Sequence, residues 1–516
     1  MSTKPSPLFT PLNPSPQLVA QMTGLTLEQS ELEVRQQHNL KRMLRRIRTS
    51  RRPTQPQHKR HSSLKHQEDR TTSKSSSANS DWDDIDDAGL SLRKMSVTID
   101  IQDAPTGMEL SRRVAKLFNS VFEPLEPIDG ESVTVTRISG ALTNCVYMVA
   151  VRPAPVASAH SSQVYTWVRE SKGPRRANRT ELPSKYLLRV YGVGVDEMIS
   201  RDKELYWLSQ LSSLGFGPRL FGIFGNGRLE EFLESETLTK EDIKEPWTSK
   251  HIARRMCELH SLVSYYRPFG AAQPAAAAAL PNVDLSGAPE LWTNLERWLP
   301  LVQQKWTHIT KVCARNPDCT QILDTWSQLT DQLIPNLKAQ IDAANSPVVF
   351  AHDDLQYGNI LRLHGTDELV VVDFEYAGYN YRGFDLANHF CEWMADYGHP
   401  VNPHQLCESA YPDAAQRHAF LRTYVKAKAF LDANMCADKE MVVSDHPIQL
   451  TGVELTKQQI DEEVAVLERE IHPFVAASHL HWGVWGLLQA CASEIDFDYV
   501  GYAAQRLGIF KILMLE

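Results

Sequence analysis

Apolar spacing divides the chain into three stretches. Residues 1 to about 98 show almost no periodic apolar pattern. Ser, Thr, Gln, Pro, Lys and Arg dominate there and aromatics are nearly absent, so too little apolar surface is available to offset the entropy of ordering. From about residue 108 the spacing becomes strand-like. SVTVTRISGALTNCVYMVAV (132–151) reads as two β runs with a turn at Ser139-Gly140, and KYLLRVYGV (185–193), LFGIF (220–224) and RLEEFL (228–233) read as further strands. The polar stretch from Pro153 to Pro183 suits a surface insertion in a hairpin. Asp196 is placed to cap a helix whose Leu205, Leu208 and Leu211 recur at i, i+3 and i+6.

Past residue 234 helical spacing takes over. HIARRMCELHSLV (251–263) and ELWTNLERWLPLVQQKW (290–306) carry it, with the low-complexity insert AAQPAAAAALP between them. A short β-rich island at 347–374 interrupts the helices. Thr456 and Gln459 then form a capping-box pattern, and Ile460, Val464, Leu467 and Ile471 mark one apolar face. The pattern predicts an α+β chain: a tail over 1–98, a small β-rich lobe over 99–234, and a larger helical lobe over 235–516 with an embedded β hairpin.

Composition narrows the function classes. The 516 residues are 42% hydrophobic and 23% charged, an ordinary globular balance. The net charge of −9 is unevenly placed: residues 1–79 hold 14 Lys+Arg against 5 Asp+Glu, the remainder 40 against 58. An acidic body behind a basic tail is poorly suited to wrapping nucleic acid. No apolar run is long enough for a membrane span, and the Pro-rich first 25 residues lack the basic-then-apolar order of a secretory signal. Eight cysteines lie scattered without a CxxC spacing, which fits reduced thiols in the cytoplasm. Within the tail, KRMLRRIRTSRR (41–52) is basic and DWDDIDD (81–87) acidic, and Ser50, Ser62, Ser63 and Ser96 follow basic residues in contexts that suit a basophilic protein kinase. Asn178-Arg179-Thr180 is a glycosylation sequon that a cytosolic chain would never present to the transferase. The histidines show no zinc-ligand spacing.

Candidate chemistry gathers in two segments, VVFAHDDLQYGNILRL (348–363) and ELVVVDFEYAGYNYRGFDLANHFCEWMADY (368–397). In both, an apolar strand run ends in acidic residues. Phosphoryl transfer from ATP asks for a carboxylate to orient the acceptor hydroxyl and for hard oxygen ligands to hold Mg²⁺ on the phosphates. The pattern H-x-D-x-x-x-x-N supplies His352, Asp354 and Asn359, and Asp373 follows a Val run.

These two segments resemble those of the choline/ethanolamine kinases, a family with a bilobal, eukaryotic protein-kinase-like fold. HDDLQYGNIL is similar to the family's phosphotransferase loop and VDFEYAGYNYRGFDLANHFCEW to its choline-kinase signature; the likeness runs from about Val133 to Phe510, and the long N-terminal extension suits a fungal-type member. It implies Asp354 as catalytic base, Gln356 beside the reacting groups, Asp385 as a brace for the loop, and Asn359 and Asp373 as Mg²⁺ ligands. One departure is Asp353, where the family often has Asn; it adds negative charge beside the loop and bears on metal affinity. For ATP the resemblance implies a phosphate-covering turn at Ser139, Gly140, Thr143 and Asn144, a hinge at Glu231-Phe232-Leu233, and Arg189 on the phosphates, held by Asp202 or Glu204. For the acceptor it implies a pocket of Tyr376, Glu392, Tyr397, Trp482, Trp485 and Tyr502. Trp482, Trp485 and Gln489 share one helical face, and Tyr499 and Tyr502 are three apart; such stripes are ordinarily core, but a quaternary ammonium needs ring faces and a carboxylate. The expected activity is phosphorylation of choline, with ethanolamine or both amines as alternatives, and a homodimer is among the states the family implies.

Overall fold

The computed structural model describes residues 93–95, 108–141 except 123 and 125, 144–152, 182–191, 198, 200–263, 288–314, 320–437 and 454–515 except 494. Ser50, Ser62, Ser63 and Ser96 of the tail, Thr143, Asp196, the sequon, almost all of the 153–183 stretch and the Ala-rich insert lie outside these residues.

The small lobe is built on a six-stranded sheet. In chain order it contains β1 (Arg93–Met95), helix α1 (Met108–Phe122), β2 (Val133–Ala141), β3 (Asn144–Val151), β4 (Lys185–Tyr191), helix α2 (Arg201–Leu214), β5 (Leu220–Phe224) and β6 (Gly227–Glu231). The strand order is β1-β5-β6-β4-β3-β2, antiparallel throughout except for β1 against β5. Period-two alternation decides what each face does. On β4, Tyr186, Leu188 and Val190 are buried, so Arg189 falls on the opposite face. Helix α1 covers the apolar face with Leu110, Val114, Leu117, Phe118 and Val121, and Phe118, Phe122, Tyr186 and Phe221 form an aromatic cluster with centroids 4.3–5.5 Å apart.

Three boundaries differ from the sequence expectation. Arg93–Met95 pairs with β5, so the tail expected over 1–98 ends in a sheet strand. Ser139 and Gly140 are not the turn: they pair with Val146 and Cys145 inside the β2–β3 ladder, which a register shift after Arg137 lengthens to Ala141–Asn144. Helix α2 starts at Arg201 with extended Ser200 at its N-cap, later than a cap at Asp196 would set, and ends at left-handed Gly215.

The large lobe continues with β7 (Ser235–Thr237) and α3 (Pro246–Glu258), which runs on into a widened turn, Leu259–Val263. Helices α4 (Glu290–Cys313), α5 (Thr320–Gln328) and α6 (Ile334–Ala344) precede β8 (Val348–Ala351), β9 (Ile360–Leu363), β10 (Leu369–Val371) and β11 (Gly378–Tyr381). Then come α7 (Arg382–Glu392), α8 (Ala414–Ala437), α9 (Lys457–Ala492) and α10 (Tyr499–Leu515). The expected hairpin is β9–β10, extended by β7 into a three-stranded sheet, while β8 pairs with β11 just past the expected island. The capping box at Thr456 and Gln459 is present, and Ile460, Val464, Leu467 and Ile471 are all buried. Helix α9 is buried almost all round from Pro473 to Gln489 because α4, α7 and α10 pack against it. Among the described residues no helix is long and apolar enough to cross a membrane.

Candidate active site

The loop from His352 to Asn359 links β8 to β9, and Asp385 of α7 organises it. This carboxylate is fully buried and accepts the backbone N–H of His352 at 3.1 Å and of Asp353 at 2.8 Å. His260 Nε2 lies 2.8 Å from it, and His260 Nδ1 lies 2.9 Å from the Tyr424 hydroxyl. Burial alone would raise the Asp385 carboxyl, but the His260 hydrogen bond, the His260 and His352 charges and the backbone donor hold it below the usual range. Asp353 takes a left-handed backbone (φ 64°), its carbonyl accepts Asn388 Nδ2 at 3.1 Å, and its Oδ1 accepts Asn380 Nδ2 at 3.0 Å. Burial and then the neighbouring Asp385 push the Asp353 carboxyl well up. The residue in the family's Asn position is therefore driven toward its neutral form, which mimics an amide.

Asp354 is reached by Asn359 Nδ2, which donates to both its carbonyl and its Oδ2 at 2.9 Å. Burial raises the Asp354 carboxyl strongly, and the charges of Glu392, Asp373 and Glu375 add to the rise. Gln356, expected beside the reacting groups, turns its Oε1 to the N–H of Gly358 at 2.6 Å and caps the Tyr357–Asn359 turn.

On the nucleotide side the structure corrects one pairing. Arg189 Nη1 lies 3.4 Å from Asp373 Oδ1, and neither Asp202 nor Glu204 holds it. Glu204 is buried and taken at both oxygens, by Arg228 at 2.5 Å and by Arg201 at 2.8 Å. The cause is sheet register: Arg228 of β6 sits directly opposite Arg189 of β4 and reaches Glu204 first. Arg228 also bonds Glu230 and the Tyr191 hydroxyl. Asp373 has a left-handed backbone (φ 66°), and one carboxylate oxygen each from Glu204, Asp373 and Glu375 lies within 4.8 Å of the others. Burial, then Asp373 and Glu204, push Glu375 up to about 8. That crowding of hard oxygen donors fits a divalent cation, which would relieve it. Glu204 is held tightly at both oxygens, whereas Arg189 reaches the two Asp373 oxygens only at 3.4 and 3.5 Å, so Asp373 and Glu375 are the freer donors. The Asn359 carbonyl accepts the N–H of Val372, which places Asn359 beside the same strand end. Glu375 was missed in the sequence, although it lies two residues past Asp373 in the same acidic motif.

Of the nucleotide residues, Ser139, Gly140 and Asn144 form the closed end of the β2–β3 ladder. Glu231 ends β6; its N–H donates to the Arg219 carbonyl at 2.8 Å and its Oε2 accepts the Arg219 N–H at 3.2 Å. The Leu233 carbonyl accepts the Ser235 hydroxyl at 3.0 Å.

All six residues expected in the amine pocket come together. Trp485 Nε1 donates to the Tyr376 hydroxyl at 2.9 Å, and the Tyr376–Trp482, Trp482–Trp485 and Trp485–Tyr502 centroids lie 5.3, 5.4 and 6.2 Å apart, all edge to face. Trp482 Nε1 is fixed by Asn388 Oδ1 at 2.8 Å. The Tyr397 hydroxyl donates to Glu392 Oε2 at 2.7 Å. Asp354 senses Glu392 on this side and Asp373 on the other, while Tyr376 and Tyr502 both sense Asp354. One carboxyl thus stands in charge range of both the acidic cluster and the aromatic cluster.

The family model for choline/ethanolamine kinase matches residues 135–511. A probable choline kinase of Arabidopsis thaliana is 32% identical over 398 residues, covering 77% of this chain and 90% of the relative. The choline kinase of Schizosaccharomyces pombe is 30% identical over 73% of this chain and 82% of its own, and the human choline/ethanolamine kinase is 32% identical over 64% and 72%. Among solved structures, the Plasmodium vivax ethanolamine kinase superposes with a TM-score of 0.54 at 23% identity, covering 80% of this chain and 90% of its own, and the choline kinase of Cryptosporidium parvum with 0.53 at 21%, covering 78% and 94%. The fold is the bilobal, protein-kinase-like one, and the chain belongs to the choline/ethanolamine kinase family.

Proposed function

We propose that the protein transfers the γ-phosphoryl group of ATP to the hydroxyl of choline, yielding phosphocholine for phosphatidylcholine synthesis, and that it does so in the cytoplasm. The observation that carries this reading is the position of Asp354, which senses Asp373 on one side and Glu392 on the other. Asp354 would align the acceptor hydroxyl for in-line attack and take its proton late, as suits a loose transition state. Two of the charges that raise its carboxyl, those of Asp373 and Glu375, are ones that a bound Mg²⁺ would offset. Asp373, Glu375 and Asn359 would hold Mg²⁺, which when bound offsets charge on the β- and γ-phosphates. Arg189 is directed to that same place by Asp373. Glu392 and the rings of Tyr376, Trp482, Trp485 and Tyr502, with Tyr397 fixing Glu392, would receive the trimethylammonium group, whose nitrogen has no hydrogen to donate. Reduced thiols suit the cytoplasmic setting, and Cys145, Cys257, Cys313, Cys391, Cys407 and Cys491 stand unbridged.

The test is a steady-state comparison of choline, ethanolamine and no acceptor with ATP and Mg²⁺. Turnover with choline well above the other two is expected, and absence of amine-dependent turnover would reject the reading. Asp354→Ala should lower kcat by at least about a thousandfold while nucleotide binding, read by fluorescence titration, is kept. The dual-specificity alternative predicts comparable kcat/KM for both amines.

A further inference from the structure

The amine pocket holds one charged side chain that the proposed reaction does not need. Arg506 of α10 is fully buried, its Nη2 donates to Glu392 Oε1 at 2.8 Å, and its guanidinium lies 5.1 Å from the centre of the Tyr502 ring. Its Nε and Nη1 have no hydrogen-bond partner among the described residues. A buried guanidinium left partly unpaired is costly, so a packing role alone would be served better by an apolar side chain. The buried rings of His479 and His481 sense Arg506; burial first and that charge second hold both imidazoles down, in the neutral form. Among the described neighbours, Glu392 is the carboxylate that balances Arg506. Its other oxygen accepts the Tyr397 hydroxyl.

We infer that Arg506, acting through Glu392, is a specificity-determining positioning residue that favours a quaternary over a primary ammonium acceptor. The inference rests on the amine-pocket reading above. Both Glu392 oxygens are already engaged by protein donors, and the carboxylate charge is largely matched by Arg506. A primary ammonium brings three N–H donors that lose water on entering the pocket and must share each Glu392 oxygen with Arg506 or Tyr397. A trimethylammonium group brings none and is held by ring faces and a residual field, so it loses little. With Arg506 removed, Glu392 Oε1 becomes an unshared acceptor, to which a primary ammonium can donate a hydrogen bond and a quaternary one cannot.

The experiment measures kcat/KM for choline and for ethanolamine with the full-length protein, its Arg506→Met variant and its Tyr397→Phe variant. The wild type favours choline. In Arg506→Met the choline-to-ethanolamine ratio falls by about tenfold, the size of one hydrogen bond to a charged group, mainly through a lower ethanolamine KM and with the ATP KM unchanged. An unchanged ratio in folded Arg506→Met, or a wild type that favours ethanolamine, overturns the inference. If Arg506→Met melts below the assay temperature, the decision passes to Tyr397→Phe, which frees the other oxygen with the ion pair intact. The ratio falls there too, and an unchanged ratio overturns the inference. A wild type that phosphorylates neither amine rejects instead the function on which the inference rests.

Discussion

Glu375 sits in an environment at odds with its ordinary chemistry. Burial and the neighbouring Asp373 and Glu204 raise its carboxyl from 4.5 to about 8. A folded-state value above the unfolded one means that the folded chain binds the proton more tightly. That contribution to stability is complete below about pH 4.5 and is lost as the pH rises through about 8. Metal-free Glu375→Gln should therefore melt higher than the wild type above about pH 8, and the gain should shrink below about pH 4.5. Mg²⁺ should raise the wild-type melting temperature in the alkaline range and do less for the variant. Calorimetric scans across that pH range, with and without Mg²⁺, check both. Two sequence expectations also turn on single residues. Asp385 was legible as the loop brace only through the likeness of its segment to the family's signature. Arg189 was legible as a phosphate-side cation, but its partner was not. The competitor Arg228 lies 39 positions further along and faces Arg189 only through the β4–β6 register.

At the scale of elements, close approach of helices holds the loop and the pocket in one place. Gly383 opens α7, and a Cβ there would lie 2.4 Å from the ring of Phe474 on α9. Gly383→Ala should cost about 2 kcal/mol, as overpacking in a closed core does. It should also lower kcat, because Asp385 is carried on the same first turn. Denaturant titration and turnover of the one variant test the two effects together. Thr456→Ala removes the capping box of α9 and should cost about 1 kcal/mol, with little effect on turnover because the cap is far along the helix from Trp482 and Trp485. The α9 start and its first apolar stripe could be read from residue spacing. Spacing alone put the tryptophan pair on one face and favoured core, and the family resemblance moved it to the acceptor pocket. Its contacts to Tyr376, Asn388 and Tyr502 come from other elements, which spacing could not show.

Across the whole molecule, the small lobe depends on one buried charge network. Glu204 would be raised by burial, yet Arg228, Arg201 and Arg189 lower it from 4.5 to about 2. A folded-state value below the unfolded one contributes stability that is present above about pH 4.5 and lost as the pH falls toward about 2. This amounts to about 3 kcal/mol, and it should appear as an acid limb in the unfolding free energy. Glu204→Gln should flatten that limb while destabilising the protein at neutral pH, since two buried guanidinium groups lose their partner. Urea titrations at several pH values check the slope.

Local properties of the chain were enough to reveal the lobes, most strands and helices, and the two acidic segments. Apolar periodicity and strand-end carboxylates are written within a few residues of one another. Which charge answers which was settled by folding alone. His260 meets Asp385 across 125 positions, Glu392 meets Arg506 across 114, and Arg189 meets Asp373 across 184. Buried charges choose partners by distance and desolvation, and both quantities exist only once sheet register and helix packing have set the neighbours.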